Sequence, residues 1–451
     1  MKIARTLIAI LIATLFAINI LAQAPGEDRV LAYFQAFNSG SAEQVESFAQ
    51  ANFTPQALQR HNADERRAMF DQLRGAHGKF TVAGVRTSNS GLDVDVRDEN
   101  GETLQFRFTI EPAPPHRIAG LGINIGGGRE EGPQLPPLKL PSDFSAPLDA
   151  YIRQLPDFSG SVLVAKNGEI QFEKAYGLAS RRFNVANKTS TRFNVGSITK
   201  DFTRAAIGQL AQAGKLKVDV PILTYLPNYP NKEVAQKITI QQLVDHRSGL
   251  GDVFTPRFFE TNNLRYRTLQ SYIDFFASDP LQYEPGKGQR YSNYGYVVLG
   301  AIIEAVSGED YFDYIQKHVF DPAGMSGSGF FDVQKIVPDL AVGHTRKENE
   351  WLENTLVRPG PRGIPAGGSY SSARDLLNFD RALRAKKLLD DQWTRWFFKG
   401  DAQGSRVSAG GSPGVNAAVA SDGVWTVVVL TNIDPPTGEK FAEALAEALK
   451  I

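Results

Sequence analysis

The 451-residue chain contains no cysteine. That excludes disulfides, thiolate metal sites, a cysteine nucleophile and a cysteine-linked lipid anchor. It carries no net charge: 49 Lys and Arg balance 49 Asp and Glu, so no overall field recruits nucleic acid or an acidic membrane surface. Histidine is scarce. The six, His61, His77, His116, His246, His318 and His344, show no metal-ligand spacing, which argues against a zinc enzyme. There is no internal repeat, and no low-complexity stretch beyond one proline-rich linker. What is present is ordinary for a globular protein, 42% hydrophobic and 22% charged residues, and the length suits two domains.

Residues 1–24 read as a secretory signal peptide. Lys2 and Arg5 precede an apolar run from Leu7 to Leu21 and the small-residue end Ala22-Gln23-Ala24, with cleavage after Ala22 or Ala24. The run holds Thr14 and Asn19 and falls short of the roughly 20 residues of a bilayer span, so no stable membrane span is expected after cleavage. The mature chain is therefore expected to be secreted or periplasmic.

Residues 27–128 place helices first and strands second. Val30, Leu31, Phe34 and Phe37 share a helix face, Ser41 and Gln44 have capping-box spacing, and Asn62 precedes a charged helix over Ala63–Leu73. Leu92, Val94 and Val96, then Leu104, Phe106, Phe108 and Ile110, alternate with polar residues around Asn100-Gly101, which predicts a hairpin with one buried face. The result is an α+β domain whose order of elements is similar to NTF2-like folds. It shows no pairing of nucleophile and base, so it reads as a packing or recognition module, open to a protein partner.

Gly126-Gly127-Gly128 and Pro133, Pro136, Pro137 and Pro141 mark a linker over residues 129–144. The second domain, 145–451, opens with a hairpin, Ser161–Lys166 and Ile170–Tyr176 around Asn167-Gly168. It closes with another, Ala417–Ala420 and Val424–Leu430 around Asp422-Gly423, and a helix from about Lys440 to Leu449. Strands from both ends around a helical middle predict one mixed domain.

Three segments carry candidate chemistry. Ser197 opens an amphipathic run, where a hydroxyl meets unpaired N–H groups and the positive end of the helix dipole. Lys200 sits one turn on, over the same face, and an amine there eases removal of the serine proton. Read alone, the pair is equally a cap and a surface lysine. Tyr291 and Asn293 follow the Pro285–Arg290 loop. A tyrosine near a lysine can shuttle protons, because the cation favours phenolate, and the asparagine offers a donor and an acceptor to a substrate amide. The plainer reading is an aromatic plug and a helix-capping asparagine. Finally, Ser408, Gly410 and Gly411 lie in a small-residue run that lets backbone N–H groups approach a ligand, or that simply turns.

Together these segments resemble the serine β-lactamase and penicillin-binding superfamily, in its class C-type branch with D-alanyl-D-alanine carboxypeptidases (peptidase S12-like) and esterases. Thr239–Leu250, ending in His246-Arg247-Ser248-Gly249-Leu250, and Pro365-Ala366-Gly367-Gly368 ahead of Ser372-Ala373-Arg374 are similar to further segments of that family. The resemblance implies a mixed α/β domain with an antiparallel sheet flanked by helices. It implies Ser197 as acyl-accepting nucleophile, Lys200 and Tyr291 sharing the acid and base roles, and Asn293 holding the substrate amide. The N–H groups of Ser197 and Gly411 would bind the oxyanion, and His246 would be structural. The substrate would be a small molecule or peptide with an ester or amide carbonyl, and neither metal nor cofactor is needed.

One position departs from the family. Ser408-Ala409-Gly410 stands where the family usually has lysine or histidine, a small residue and glycine. The cation for a substrate carboxylate is missing, and Arg406, two residues earlier, is the candidate to replace it. Ser408 thus favours an ester or another amide over penicillin, or alternatively a catalytically impaired binding protein that keeps the pocket. Gly410-Gly411-Ser412-Pro413-Gly414 also fits the elbow of α/β-hydrolases, but that order requires a histidine after the serine and the last is His344.

Overall fold

The computed structural model describes residues 24–60, 62–88, 91–99, 101, 103–124, 135–347, 350–354, 360–401 and 404–451. The leader, apart from Ala24, and Gly126–Pro133 of the linker lie outside the described residues, as do His61 and Asn100. The chain divides into two compact units, Met1–Arg129 and Glu130–Ile451.

The first unit runs α1 (Glu27–Asn38), α2 (Ala42–Asn52), α3 (Pro55–Arg60) and α4 (Ala63–His77). A sheet of β1 (Thr81–Ser88), β2 (Gly91–Arg97), β3 (Thr103–Ile110) and β4 (Ile118–Asn124) follows, antiparallel in that order. The predicted alternation is the observed one. Leu92, Val94 and Val96 face Phe108, Phe106 and Leu104 across the β2–β3 ladder and are buried, while Asp93 pairs with Arg107 on the other face. Aromatic rings fill the space under α1, with Phe34 5.0 Å from Phe106 and Phe37 4.9 Å from Phe80. Two details differ from expectation. The charged helix runs on past Leu73 to His77, and β1 and β4 flank the predicted hairpin. Gly120 and Gly122 break the period-two pattern that would have announced β4.

The second unit begins with α5 (Ser145–Gln154), β5 (Gly160–Lys166) and β6 (Glu169–Tyr176). Its helical middle includes α6 (Thr199–Gln212), α7 (Asn293–Ser307) and α8 (Ala373–Arg384), and it ends with β7 (Arg406–Ser412), β8 (Val415–Ser421), β9 (Trp425–Thr431) and α9 (Thr437–Leu449). The sheet order is β7-β8-β9-β5-β6, every neighbour antiparallel, so strands from the two ends meet at β9–β5. Its inner strands read as continuous apolar runs because both faces are covered. Val162, Val164, Val427 and Val429 pack with Leu148, Ile152, Phe441 and Leu445 of α5 and α9. Leu163, Ala165, Val428 and Leu430 pack instead against the helical body, with Phe202, Ile303 and Leu376. The described part of the proline-rich segment is not a free spacer. Leu135, Leu138 and Leu140 lie against the α5–α9 cluster, and Tyr151 donates to the Pro136 carbonyl at 2.7 Å. Among the described residues no helix is long and apolar enough to cross a membrane.

Candidate active site

A short turn, Gly196–Ile198, leads into α6 and carries Ser197. Several contacts hold it. Asn194 Oδ1 accepts from the Gly196 N–H at 2.9 Å, Gly196 takes a left-handed φ of 50°, and Thr199 Oγ1 donates to the Gly196 carbonyl at 2.7 Å. Val195 and Ile198 are buried on either side, which leaves Ser197 partly accessible.

Lys200, one turn on, is only 6% exposed. Its amine reaches Asn293 Oδ1 at 2.7 Å, the Ala366 carbonyl at 2.6 Å and Ser197 Oγ at 3.3 Å. Burial pulls its pKa down from 10.5 to about 7, against the opposing influence of Asp252 and Asp201. The Pro365–Gly368 segment, singled out in the sequence without a role, thus supplies one of the amine's acceptors.

Tyr291 donates its hydroxyl to Ser197 Oγ at 2.7 Å. The Lys200 amine lies 4.6 Å from the centre of its ring. Although the Tyr291 residue is 49% exposed, desolvation around its hydroxyl pushes the phenol up to about 12, against the bond to Ser197. The sequence argument that the lysine favours phenolate is outweighed here, and the tyrosine keeps its proton. His246 packs on this ring, centroids 4.4 Å apart, and its Nδ1 accepts from the Ser292 N–H at 3.2 Å. Burial and the nearby Lys200 hold His246 neutral, its pKa lowered to about 4. The helix Ile240–Val244, closed by a Thr239–Gln242 capping box, delivers His246 to this position in a left-handed conformation, φ 56°.

Asn293 is 9% exposed, and the cap of α7 is Ser292, which accepts from the Gly295 N–H. Both ends of the Asn293 amide are engaged within the protein. Oδ1 accepts from Lys200, while Nδ2 lies 3.0 Å from both carboxylate oxygens of Asp252. It is therefore built into the wall behind Lys200.

β7 completes the site. A Cβ on Gly410 would fall 2.1 Å from the Val195 carbonyl and 2.6 Å from the Ser197 nitrogen, and one on Gly196 would lie 3.0 Å from the Gly411 nitrogen. Strand and turn therefore touch backbone to backbone, which only glycine permits. Ser408 donates to Asp201 Oδ2 at 2.7 Å, and Arg406, 8% exposed, reaches the same oxygen at 2.8 Å with Asp380 at 3.8 Å. Arg406 does lie on the Ser408 face, but it is buried beside these carboxylates, with Nη1 bonded to Asp201 and with Nε and Nη2 lacking a hydrogen-bond partner among the described residues.

All the candidate residues thus gather around Ser197. Sequence reasoning missed Asp201, Asp252 and the Ala366 carbonyl. Asp201 adjoins Lys200 and was within sight of the motif, whereas nothing in the chain ties Asp252 to Asn293. A cavity of about 210 Å³ lined by Phe331, Gly343, Arg362 and Pro413 reaches Asn194 and Gly368 beside the Gly196 turn, but neither Ser197 nor Lys200 lines it. Among the described residues no group of three or more acidic or histidine side chains is arranged to hold a metal ion.

Comparison with known proteins bears on the family and the fold. The family model described as Beta-lactamase matches residues 148–450. PbpX of Bacillus subtilis (strain 168), which bears the name of a penicillin-binding protein, is 32% identical over 304 residues, 64% of this chain and 74% of its own. Esterase EstB of Burkholderia gladioli is 27% identical over 277 residues, 54% of this chain and 70% of the esterase. The crystal structure of a penicillin binding protein from Bacillus halodurans superposes with a TM-score of 0.59 at 29% identity, covering 65% of this chain and 96% of that one.

Proposed function

Since the chain belongs to the β-lactamase family, we propose that it hydrolyses an ester or amide through an acyl-enzyme on Ser197. The supporting observation is the surroundings of the Lys200 amine. A neutral amine has two N–H bonds and one lone pair. Asn293 Oδ1 and the Ala366 carbonyl take the two donors, so the lone pair is left for the Ser197 hydroxyl. With a pKa near 7 the amine is substantially neutral at physiological pH, whereas the Tyr291 phenol is not ionised.

The steps follow from those states. Lys200 takes the Ser197 proton as Oγ bonds to the substrate carbonyl carbon, and the N–H groups of Ser197 and Gly411 receive the oxyanion. Tyr291 then gives its proton to the leaving oxygen or nitrogen as that bond breaks, and the Lys200 ammonium returns the proton to the phenolate. Water attacks the acyl-enzyme by the same route in reverse, and Ser197 is restored.

Arg406 does not stand in for the missing cation, because Asp201 and Asp380 claim it, and Ser408 offers only a hydroxyl already bonded to Asp201. The preferred substrate therefore lacks a carboxylate next to the scissile bond, as in a simple ester or amide. Residues 1–24, read as a leader, would carry the mature chain out of the cytoplasm, and the first unit serves recognition or packing.

The test is to incubate the protein with a fluorophosphonate, a chromogenic ester and a labelled penicillin, and to map adducts by mass spectrometry. The fluorophosphonate should label Ser197, the ester should turn over with an acid limb near pH 7, and Ser197→Ala should lose at least about 10³-fold in kcat. An adduct on another peptide, or undiminished turnover by Ser197→Ala, overturns the assignment. Labelling without turnover indicates a binding protein instead.

A further inference from the structure

Asp252 sits in the loop after Ser248-Gly249-Leu250, and its carboxylate meets Asn293 three times. Oδ2 accepts from the Asn293 backbone N–H at 3.1 Å, and both oxygens lie 3.0 Å from Nδ2. Oδ1 also accepts from the Phe254 N–H at 3.0 Å, which ties the carboxylate to its own loop. An amide side chain has nearly the same shape when rotated end for end, so shape alone does not decide which end faces Lys200. An ionised carboxylate decides it, because it accepts and never donates. It draws the NH₂ group to itself and leaves Oδ1 for the amine. The reversed amide would set its NH₂ against a lysine donor.

We propose that Asp252 is a positioning residue for the acyl transfer: it fixes the direction of the Asn293 amide, and through it the direction of the Lys200 lone pair toward Ser197. The inference rests on the assignment of Ser197 and Lys200 as nucleophile and base. Asp252 also faces Lys200 as a charge. The other titratable groups around that amine are Asp201 on its own helix, with Arg406 of β7 paired to it, His246, and Tyr291 and Tyr296 at the start of α7. Both aspartates hold the lysine pKa up against burial.

Asp252→Asn keeps the shape but loses the charge and introduces donors opposite Asn293. Its kcat on the chromogenic ester should fall about 10- to 100-fold with KM little changed. The acid limb should move to lower pH by about one unit, because a charge favouring the ammonium is gone. A kcat that tracks only the folded fraction, with the acid limb unmoved, overturns the proposal. Asp252→Glu retains the charge, so its limb should stay in place while kcat falls, and a shift equal to that of Asp252→Asn counts against it. In an Asn293→Ala background, Asp252→Asn should cost little more in kcat, and fully additive losses overturn the route through Asn293. The two readings fail separately. An active Ser197→Ala removes the nucleophile assignment, whereas an inactive Ser197→Ala beside a wild-type profile for Asp252→Asn removes the positioning role alone.

Discussion

His246 makes no bond to Ser197 or Lys200, yet it shapes the pH response of the whole protein. Its pKa lies near 4 in the fold and near 6.5 when solvated, so unfolding takes up a proton between those values. The stability it permits is complete above pH 6.5 and is lost as the pH falls toward 4, by at most about 3 kcal/mol at 1.36 kcal/mol per unit. Urea midpoints at pH 7.5 and 4.5 should therefore differ less in His246→Gln than in the parent. Equal differences would remove this residue from the account. Residues of this kind differ in how legible they are. Ser197, Lys200, Tyr291 and His246 stand in recognisable segments. Asp252 bonds Asn293, 41 positions away, and no local pattern announces that bond.

The contact between β7 and the Gly196–Ile198 turn is made of backbone, so its tolerance can be graded. Gly410→Ala drives a methyl into the Val195 carbonyl and the Ser197 nitrogen, neither of which can yield without moving Ser197. We expect a loss of about 10²-fold in kcat together with a lower melting temperature. Gly411→Ala meets Pro435 Cγ at 2.9 Å, a ring that can shift, and should be milder on both measures. Parallel kinetics and melting curves decide the order, and equal tolerance at the two positions would contradict it. β7 itself was only half visible beforehand. Arg-Val-Ser-Ala-Gly-Gly-Ser is poor in strand formers and invites a turn, and only pairing with β8 across seven residue pairs makes it a strand. The β5–β6 hairpin was plain for the opposite reason, since Asn167 and Gly168, both at positive φ, suit a tight turn between apolar runs.

Across the whole molecule the aromatic core of the first unit is separate from the two cores of the second. Phe106→Ala should cost that unit about 3–5 kcal/mol. Scanning calorimetry should show a lowered transition for it while ester kcat at 25 °C stays within about twofold. A kcat that falls in step with the transition would tie the two units together. Alternating polarity made this small core legible, whereas the helical body around Ser197 was read from its motifs more than from its periodicity. Hydrophobic pattern says which face is buried, not which distant segment covers it. The β9–β5 pairing joins residues 425–431 to residues 160–166, so the platform behind Ser197 needs both. During translation Ser197, the proposed nucleophile, leaves the ribosome long before its platform exists. A chain cut short of β7–β9 already bears the serine and the amine but lacks the strands that clamp them, and under the proposed mechanism it stays chemically silent until residues 406–431 are made.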